Sequence, residues 1–441
     1  MSNLFLDGAS RDRLCRMRLV CTVIALATAL LIVGTWIVLD RAVGSRLKKA
    51  IAEADRTDPR WRQADLWANR AHVPDAENSA LRVQMVIDRI PPHWLATQAG
   101  SETGALQRLS ELSSRLSQLE PRRRLSDEDG RRLHEDLGGV MPARSLALEL
   151  ARLPNGRFAV PSHYLFLHEP TDHSEKVRRV VRLLQLEAVD CIQRSDIDGA
   201  LEACCGIVNA GRSIGDEPNL IPQLVRSAAD SVALFTMQRT LAQGQASDRA
   251  LVEIQECLAR ESEESLVLLA VMGDRATAYD TFQRLATGEV NLGDWAQRDS
   301  DERPVNSVGS NMLPRMFIKY NQAVVMESMN RAVDIARRPL WEQANLWARY
   351  EADRKSRGKA GARMASILAD ILAPAHGVAG LGFLRVKALL RVGRVMVAVE
   401  RFRLMHGRWP DAIDMLVPSF LLAVPIDPFT GRGLILYSAP G

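Results

Sequence analysis

The sequence predicts a mainly α-helical protein, in which an N-terminal transmembrane helix is followed by helical hairpins and a turn-rich C-terminal cap. Three observations predict this fold. An uncharged apolar run extends from Leu19 to Leu39, apolar residues then recur at helical spacing over most of the chain, and turn-forming glycine and proline are concentrated after Gly407. The hairpins would stack as in an α-solenoid, although the sequence has no strict repeat period.

Length and composition limit the classes of protein to consider. A chain of 441 residues exceeds the usual size of one hydrophobic core, so several packed units or one extended helical array are expected. The hydrophobic content of 47% and charged content of 25% are typical of folded proteins. The net charge of +4, from 57 basic and 53 acidic residues, provides no domain-wide basic surface, so nucleic acid is not expected as a partner.

The run from Leu19 to Leu39 predicts a membrane anchor whose partner is the lipid bilayer. Such a helix covers about 30 Å, the thickness of the hydrocarbon core, whereas the apolar part of a secretory signal has only about 7–15 residues. The small-x-small triplet Ala42-Val43-Gly44 lies beyond the charged Asp40 and Arg41. We therefore expect a retained signal anchor rather than a cleaved signal peptide.

The charges on either side of the anchor leave its orientation nearly balanced. Four arginines between Arg11 and Arg18 precede it, and Arg41, Arg46, Lys48 and Lys49 follow it. Because long domains cross the membrane largely regardless of charge, we expect a single-pass protein of the cell membrane with a cytoplasmic tail and a large extracytoplasmic C-terminal domain.

Composition and periodicity together predict a division of the chain. The predicted parts are a cytoplasmic tail (1–18), the anchor (19–39), a small helical segment (41–120), a linker and irregular region (121–173), a hairpin array (174–290), a loop (291–313), a helical block (314–406) and a C-terminal turn module (407–441).

Several helix boundaries follow from the same patterns. A short charged helix from Arg46 to Asp55 should stop at Asp58-Pro59, and the charged stretch from Pro121 to Asp136 should be an exposed linker. The predicted helices of the array and of the helical block are 174–192 paired with 197–211, 220–241 paired with 247–258, 316–354 broken at Pro339, and 381–405.

The sequence assigns no catalytic, cofactor-binding or metal-binding residue. His163, His168 and His173 are evenly spaced, beside Glu169 and Asp172, but prolines interrupt the segment and prevent i, i+4 ligation on one helix. Ser162 and Ser174 adjoin histidines without a nucleophile elbow, and no phosphate-binding glycine loop is present. No cofactor is expected, and a non-enzymatic protein is favoured while the question of enzymatic activity stays open.

The cysteines leave two alternatives. Cys15 and Cys21 lie in or beside the anchor, and Cys191, Cys204, Cys205 and Cys257 form an even set. These four are compatible with disulfides in an oxidising space, but their spacing matches no known framework and favours buried thiols.

The C-terminal residues carry a more specific pattern. A helix ends at Gly407, Arg408-Trp409-Pro410 follows, then Leu416-Val417-Pro418, and then the turn Pro425-Ile426-Asp427-Pro428. This module resembles the C-terminal part of the major pseudopilins of type II secretion, over roughly the last forty residues. It departs from that family because no prepilin peptidase site precedes the anchor and the calcium-binding loop is missing.

A second resemblance covers most of the chain. Asp58-Pro59-Arg60-Trp61, the stretch from Val73 to Ala80 and the C-terminal pattern are similar to a family of uncharacterised bacterial membrane-anchored helical proteins. That resemblance implies no activity, and it implies a short or truncated member ending at Gly441.

These observations lead to three functional hypotheses. The first is a membrane-anchored interaction or scaffold protein of the cell envelope with an unknown protein partner, since stacked helices offer broad surfaces. The second, from the C-terminal resemblance, is a component associated with type II secretion or pilus-like machinery. The third is an unrecognised envelope hydrolase.

Overall fold

The computed structural model describes residues 8–91, 104–116, 118–162, 171–290, 315–357 and 375–437. Over these ranges the chain is mainly α-helical, as predicted. The described residues contain no β-strand, and their β pairing consists of two isolated bridges, Asn78 with Asn155 and Ile426 with Gly433.

The helices are numbered in chain order. Their bounds are α1 Gly8–Thr57, α2 Gln63–Ala68, α3 Ser79–Ile87, α4 Ala105–Leu116, α5 Asp127–Gly138, α6 Met141–Leu148, α7 Asp172–Gln193, α8 Ile197–Arg212, α9 Leu220–Gln243, α10 Asp248–Glu263, α11 Leu266–Thr287, α12 Arg315–Arg337, α13 Leu340–Arg357 and α14 His376–His406. Short 3₁₀ turns cover Asp75–Glu77, Glu149–Arg152 and Ile413–Leu416.

The first helix, α1, contains the apolar run and is long and apolar enough to span a membrane. Its most apolar window has a mean hydropathy of 2.4, and none of that window is buried against the rest of the protein. The predicted separate helix from Arg46 to Asp55 is wrong, because α1 continues without a break to Thr57. No proline interrupts residues 40–57, and packing of α1 on α12 outweighs the modest helix cost of Gly44.

The predicted hairpin of α7 with α8 forms, and α8 also packs on α9. The predicted pairing of α9 with α10 is wrong, because each of these helices packs on α8 and on α14 rather than on the other. Asp196 caps α8 by accepting a hydrogen bond from the Gly199 amide at 3.0 Å, which fixes the tight turn after α7. The stacking is not purely sequential, because α14 packs on α10 and on α13. The main core therefore joins α14 to the array, with Leu390 and Val397 packed among the array leucines.

The prediction of an exposed linker after Pro121 is wrong, because most of this segment is helical. Residues 127–138 form α5 and residues 141–148 form α6, and α5 buries Leu133 and Leu137 against the main core. Ser126 begins α5 by accepting a hydrogen bond from the Asp129 amide at 3.1 Å. Two leucines four residues apart were enough to fix this otherwise charged helix.

The C-terminal module has the predicted turns but not the predicted strand-like ending. Gly407 ends α14 in the left-handed conformation with φ of 69°, and Asp427 accepts hydrogen bonds from the Phe429 amide and the Thr430 hydroxyl, both at 2.9 Å. The Leu434 amide donates to the Pro425 backbone oxygen at 2.9 Å, but residues 434–437 form no strand. The module instead buries Leu416, Phe420 and Leu421 against α14. The predicted loop 291–313 lies outside the described residues.

Candidate functional site

A buried cluster of ion pairs lies where α8, α9 and α10 meet. Both oxygens of Glu261 accept hydrogen bonds from Arg226, at 2.8 and 2.7 Å, and Arg212 adds a third at 2.6 Å. The Glu261 side chain is 0% exposed. Burial alone would raise the pKa of Glu261, but the charges and hydrogen bonds of Arg226 and Arg212 outweigh burial and hold that pKa below its usual value.

The remaining donors of the cluster are also satisfied. Arg212 donates to the backbone oxygen of Pro154 at 2.6 Å, and Arg226 donates to that of Gly215 at 3.1 Å. Glu264 lies 3.2 Å from Arg212 and keeps 40% of its side chain exposed. Since breaking a buried pair of this kind leaves an uncompensated charge, the cluster joins the three helices and the segment after α6.

Two cavities flank this cluster, and Glu264 lines both of them. One, of about 330 Å³, lies toward His72, Glu77 and Asp216. The other, of about 50 Å³, lies where α9, the α10–α11 junction, the α12–α13 junction and α14 converge; we call it the six-helix cavity. Its wall is mostly apolar and includes Leu266, Leu340, Phe383, Leu384 and Leu390.

The six-helix cavity contains buried polar groups that lack partners. Neither carboxylate oxygen of Asp230 has a hydrogen-bond partner, and neither does Oε1 of Gln343. Burial, followed by the charge of Glu261, raises the pKa of Asp230 well above its ordinary value. Lys387 also lines the cavity, and its ammonium donates to the Glu264 backbone oxygen at 2.6 Å while burial lowers its pKa. An apolar cavity with a few convergent polar groups and shifted pKa values is the usual form of a small-molecule site.

Acid–histidine pairs lie elsewhere. His376 contacts Asp274 at 2.8 Å, and their side chains are 0% and 4% exposed, so this pair does not reach solvent. His134 lies 3.0 Å from the buried Asp190. His173 lies 3.0 Å from Glu217, in a geometry that does not form a hydrogen bond.

The histidines singled out in the sequence are only partly described. His163, His168 and Glu169 lie outside the described residues. His173 is buried on α7 beside Phe158, with a ring distance of 5.2 Å, and the neighbouring Ser174 hydroxyl is buried without a partner. Within the described ranges, no group of three His, Cys, Asp or Glu side chains is arranged to hold a metal ion.

The cysteines of the folded domain are thiols. Cys191, Cys204, Cys205 and Cys257 are all buried and free. Burial raises the pKa of Cys204 to about 12, which leaves the thiol protonated and unreactive at neutral pH.

A second functional feature is the junction between α1 and the domain. Asp40 pairs with Lys319 at 2.9 Å, Arg46 with Glu327 at 2.6 Å, and Asn330 donates to the Ala50 backbone oxygen at 2.8 Å. The residue numbers of these contacts increase together along both helices, so α1 and α12 run parallel. The first turn of α12 therefore lies level with the point where the apolar part of α1 ends.

The same junction ends in a buried ion pair. Asp58, just after α1, accepts a hydrogen bond from Arg275 at 2.5 Å and another from Arg337. Burial would raise the pKa of Asp58, but both guanidinium groups outweigh it and hold the pKa below its ordinary value. The Arg275 side chain is 0% exposed, so this pair fixes the end of α1 to α11 and α12.

No family model, no curated protein and no solved structure matches this chain. The resemblances to pseudopilins and to membrane-anchored helical proteins therefore stay predictions.

Sequence reasoning missed Asp230, Gln343 and Lys387. One signal was present, since Arg226 and Asp230 are four residues apart in a helix that is otherwise largely apolar and lie on one face of it. Nothing in the sequence places Gln343 and Lys387 beside them, because they are more than a hundred residues further along the chain.

Proposed function

We propose that this protein is a membrane-anchored helical scaffold or interaction protein of the cell envelope. The apolar part of α1 is its single span, retained as a signal anchor, and the large C-terminal domain lies on the extracytoplasmic side. The observation that carries the proposal is the continuity of α1, which is apolar and exposed over its first part and bound to α11 and α12 over its last part.

This arrangement supports a scaffold because it limits motion between the bilayer and the domain. A flexible linker would leave the domain free to tumble, whereas one continuous helix held by four ion pairs and the Trp61 cluster fixes its distance and direction. The charged cluster at α8–α10 is satisfied internally and serves to hold the array rigid.

Membrane insertion is tested by alkaline carbonate extraction of cell membranes. The double variant Leu26→Arg, Leu30→Arg places two charges in the span, at a cost of about 2.5–3.5 kcal/mol each. We expect the unchanged chain in the pellet and this variant in the supernatant. The matched control is Leu422→Arg, which makes the same change at a side chain 93% exposed on the domain and should stay in the pellet. Extraction of the unchanged chain would contradict the anchor.

Orientation is tested with reporters that are active only in the cytoplasm or only beyond the membrane, fused after Gly44 and after Gly441. We expect an extracytoplasmic signal at both positions. A cytoplasmic signal at both would reverse the orientation.

The partner is sought by crosslinking of the domain in native membranes. A photoreactive residue at the exposed Trp409 or Leu422 should give a discrete protein adduct. If no position on the domain captures a protein, the interaction function is wrong even where the anchor is right.

A second proposed function is a component associated with type II secretion or pilus-like machinery. The observation that favours it is the C-terminal module, in which Gly407 and Gly431 take left-handed conformations and Asp427 closes the turn. Deletion of the gene should then impair secretion or pilus assembly. Unchanged secretion and unchanged pili would remove this alternative.

A further inference from the structure

The six-helix cavity presents three hydrogen-bond acceptors without donors: both carboxylate oxygens of Asp230 and Oε1 of Gln343. The amide of Gln343 is held in one orientation, because its Nε2 donates to the backbone oxygens of Ala336 at 3.2 Å and Arg338 at 2.7 Å. The group that faces the cavity is therefore the oxygen. Asp230 is 0% exposed and Gln343 is 2% exposed.

Such acceptors need a donor. A buried acceptor without a hydrogen bond forfeits the solvation it had in water, and a buried carboxylate forfeits the most. A proton on Asp230 neutralises its charge but leaves Oε1 of Gln343 without a donor, because no hydrogen bond joins the two side chains. A guest with several N–H groups supplies the donors that these acceptors lack.

The size and wall of the cavity limit that guest. Since one water needs about 10–15 Å³ measured in this way, a cavity of about 50 Å³ holds roughly three or four non-hydrogen atoms. The wall beside the acceptors is formed by Leu266, Leu340, Phe383 and Leu384, which suit a short chain of methylene groups. The cavity is partly open, so a longer stem can extend out of it.

We propose that the six-helix cavity binds a primary ammonium or guanidinium group on a short apolar stem, with its N–H groups donated to Asp230 and to Oε1 of Gln343. The group comes from a free small amine or from the end of a lysine or arginine side chain of a partner. This inference does not depend on the membrane anchor.

The charges around the cavity permit this guest. Arg212 and Arg226 are bound to Glu261 and Glu264, and the ammonium of Lys387 is held by the Glu264 backbone oxygen. Without a guest, burial raises the pKa of Asp230 and so favours its protonated form. A bound cation displaces that proton, so the total charge of the cavity stays the same, and one proton is released for each cation bound.

The test uses the purified full chain in detergent micelles, with thermal unfolding and calorimetry as readouts. n-Propylammonium supplies charge and N–H groups, tetramethylammonium supplies charge alone, and n-propanol supplies a neutral chain of similar size. We expect a saturable rise of the melting temperature with n-propylammonium only. Calorimetry in two buffers of different ionisation enthalpy should show about one proton released, and below the pKa of Asp230 affinity should rise about tenfold per pH unit.

Two variants locate the site. Asp230→Asn removes the charge and should weaken n-propylammonium binding about tenfold or more, while its own unfolding curve reports whether it folds. Glu263→Gln removes a neighbouring carboxylate whose side chain is 79% exposed and which does not line the cavity, and it should leave binding unchanged. Equal binding of n-propanol, full binding by Asp230→Asn, or no saturable response to any probe would overturn the proposal and leave a water-filled cavity.

Two further probes distinguish the sources of the group. Stronger binding of N-acetyl-lysine amide than of n-propylammonium would identify a partner's side chain as the guest. Binding of n-propylammonium without binding of the lysine amide would identify a free amine. Either outcome supports the shared chemistry.

Discussion

At the scale of single residues, Asp230 stands out because its environment opposes its charge. It lies on the buried face of α9 with no hydrogen-bond donor, and the nearby charge of Glu261 adds to the effect of burial. Arg226, the cation that would compensate it, is already bound to both oxygens of Glu261. A residue placed in this way lowers stability at neutral pH and is typical of a binding site.

We predict that Asp230→Asn makes the unliganded protein more stable at neutral pH, by about 1–3 kcal/mol. The folded state raises the pKa of Asp230, so the folded protein holds its proton more tightly than the unfolded chain does. The stability of the unchanged protein therefore falls as pH rises from about 4, the unfolded pKa, through the folded pKa. Urea unfolding at pH 5 and pH 8 measures this, and the gain from the variant should be larger at pH 8. A loss of stability at both pH values would contradict it.

The thiols give a second prediction at this scale. Because Cys204 is buried and its pKa is raised to about 12, iodoacetamide at pH 8 should leave it unmodified in the folded protein and modify it after denaturation. Peptide mass spectrometry before and after denaturation distinguishes these results. Rapid modification of Cys204 in the folded chain would show that α8 opens locally.

At the scale of helices, the junction of α1 with α11 and α12 combines a buried and an exposed ion pair, which contribute unequally to stability. Asp58 with Arg275 is buried, with side chains 9% and 0% exposed, whereas Arg46 with Glu327 is open, with both side chains 41% exposed. Removing one partner of a buried pair leaves an unpaired buried charge. At an exposed pair, water and dissolved ions solvate the charge that remains.

We therefore predict that Asp58→Asn destabilises the protein by about 3–5 kcal/mol. The matched control Glu327→Gln, at the exposed pair, should cost no more than about 1 kcal/mol. Denaturant unfolding of both variants under the same conditions checks the difference. Equal effects would mean that Asp58 does not fix α1 to the domain.

Apolar periodicity predicted some helices of this fold and missed others. Helices α7 to α10 follow from apolar stripes of sufficient length, and the break between α12 and α13 follows from Pro339. The pairing of α9 with α10 was predicted wrongly, because helical periodicity does not show that both helices pack on α8 and α14 instead. Helix α5 was missed because only Leu133 and Leu137 mark its buried face, although Ser126 with Asp129 at its start is a capping signal. The site was missed for a different reason: six helices converge to bring Asp230, Gln343 and Lys387 together, and helical periodicity carries no information about such distant pairs.

At the scale of the whole molecule, the sequence located the apolar run but not its mechanical connection to the domain. The anchor was predicted to end at Leu39 and a separate helix to begin at Arg46, whereas the charges at Asp40 and Arg41 mark only the end of the apolar surface of one continuous helix. The helix itself continues because Lys319, Glu327 and Asn330 on α12 satisfy its polar side chains and backbone. The proposed scaffold depends on this continuity more than on any other feature.

Hydrogen exchange of the full chain in lipid nanodiscs, followed by mass spectrometry over residues 40–57, tests this claim most directly. If α1 is one helix held against α12, amides throughout this stretch exchange slowly, with no gap after the span. Asp58→Asn should speed exchange near Thr57 and leave the span protected. Fast exchange across residues 40–48 in the unchanged chain would mean that a flexible linker joins the anchor to the domain, and the rigid membrane scaffold would be wrong.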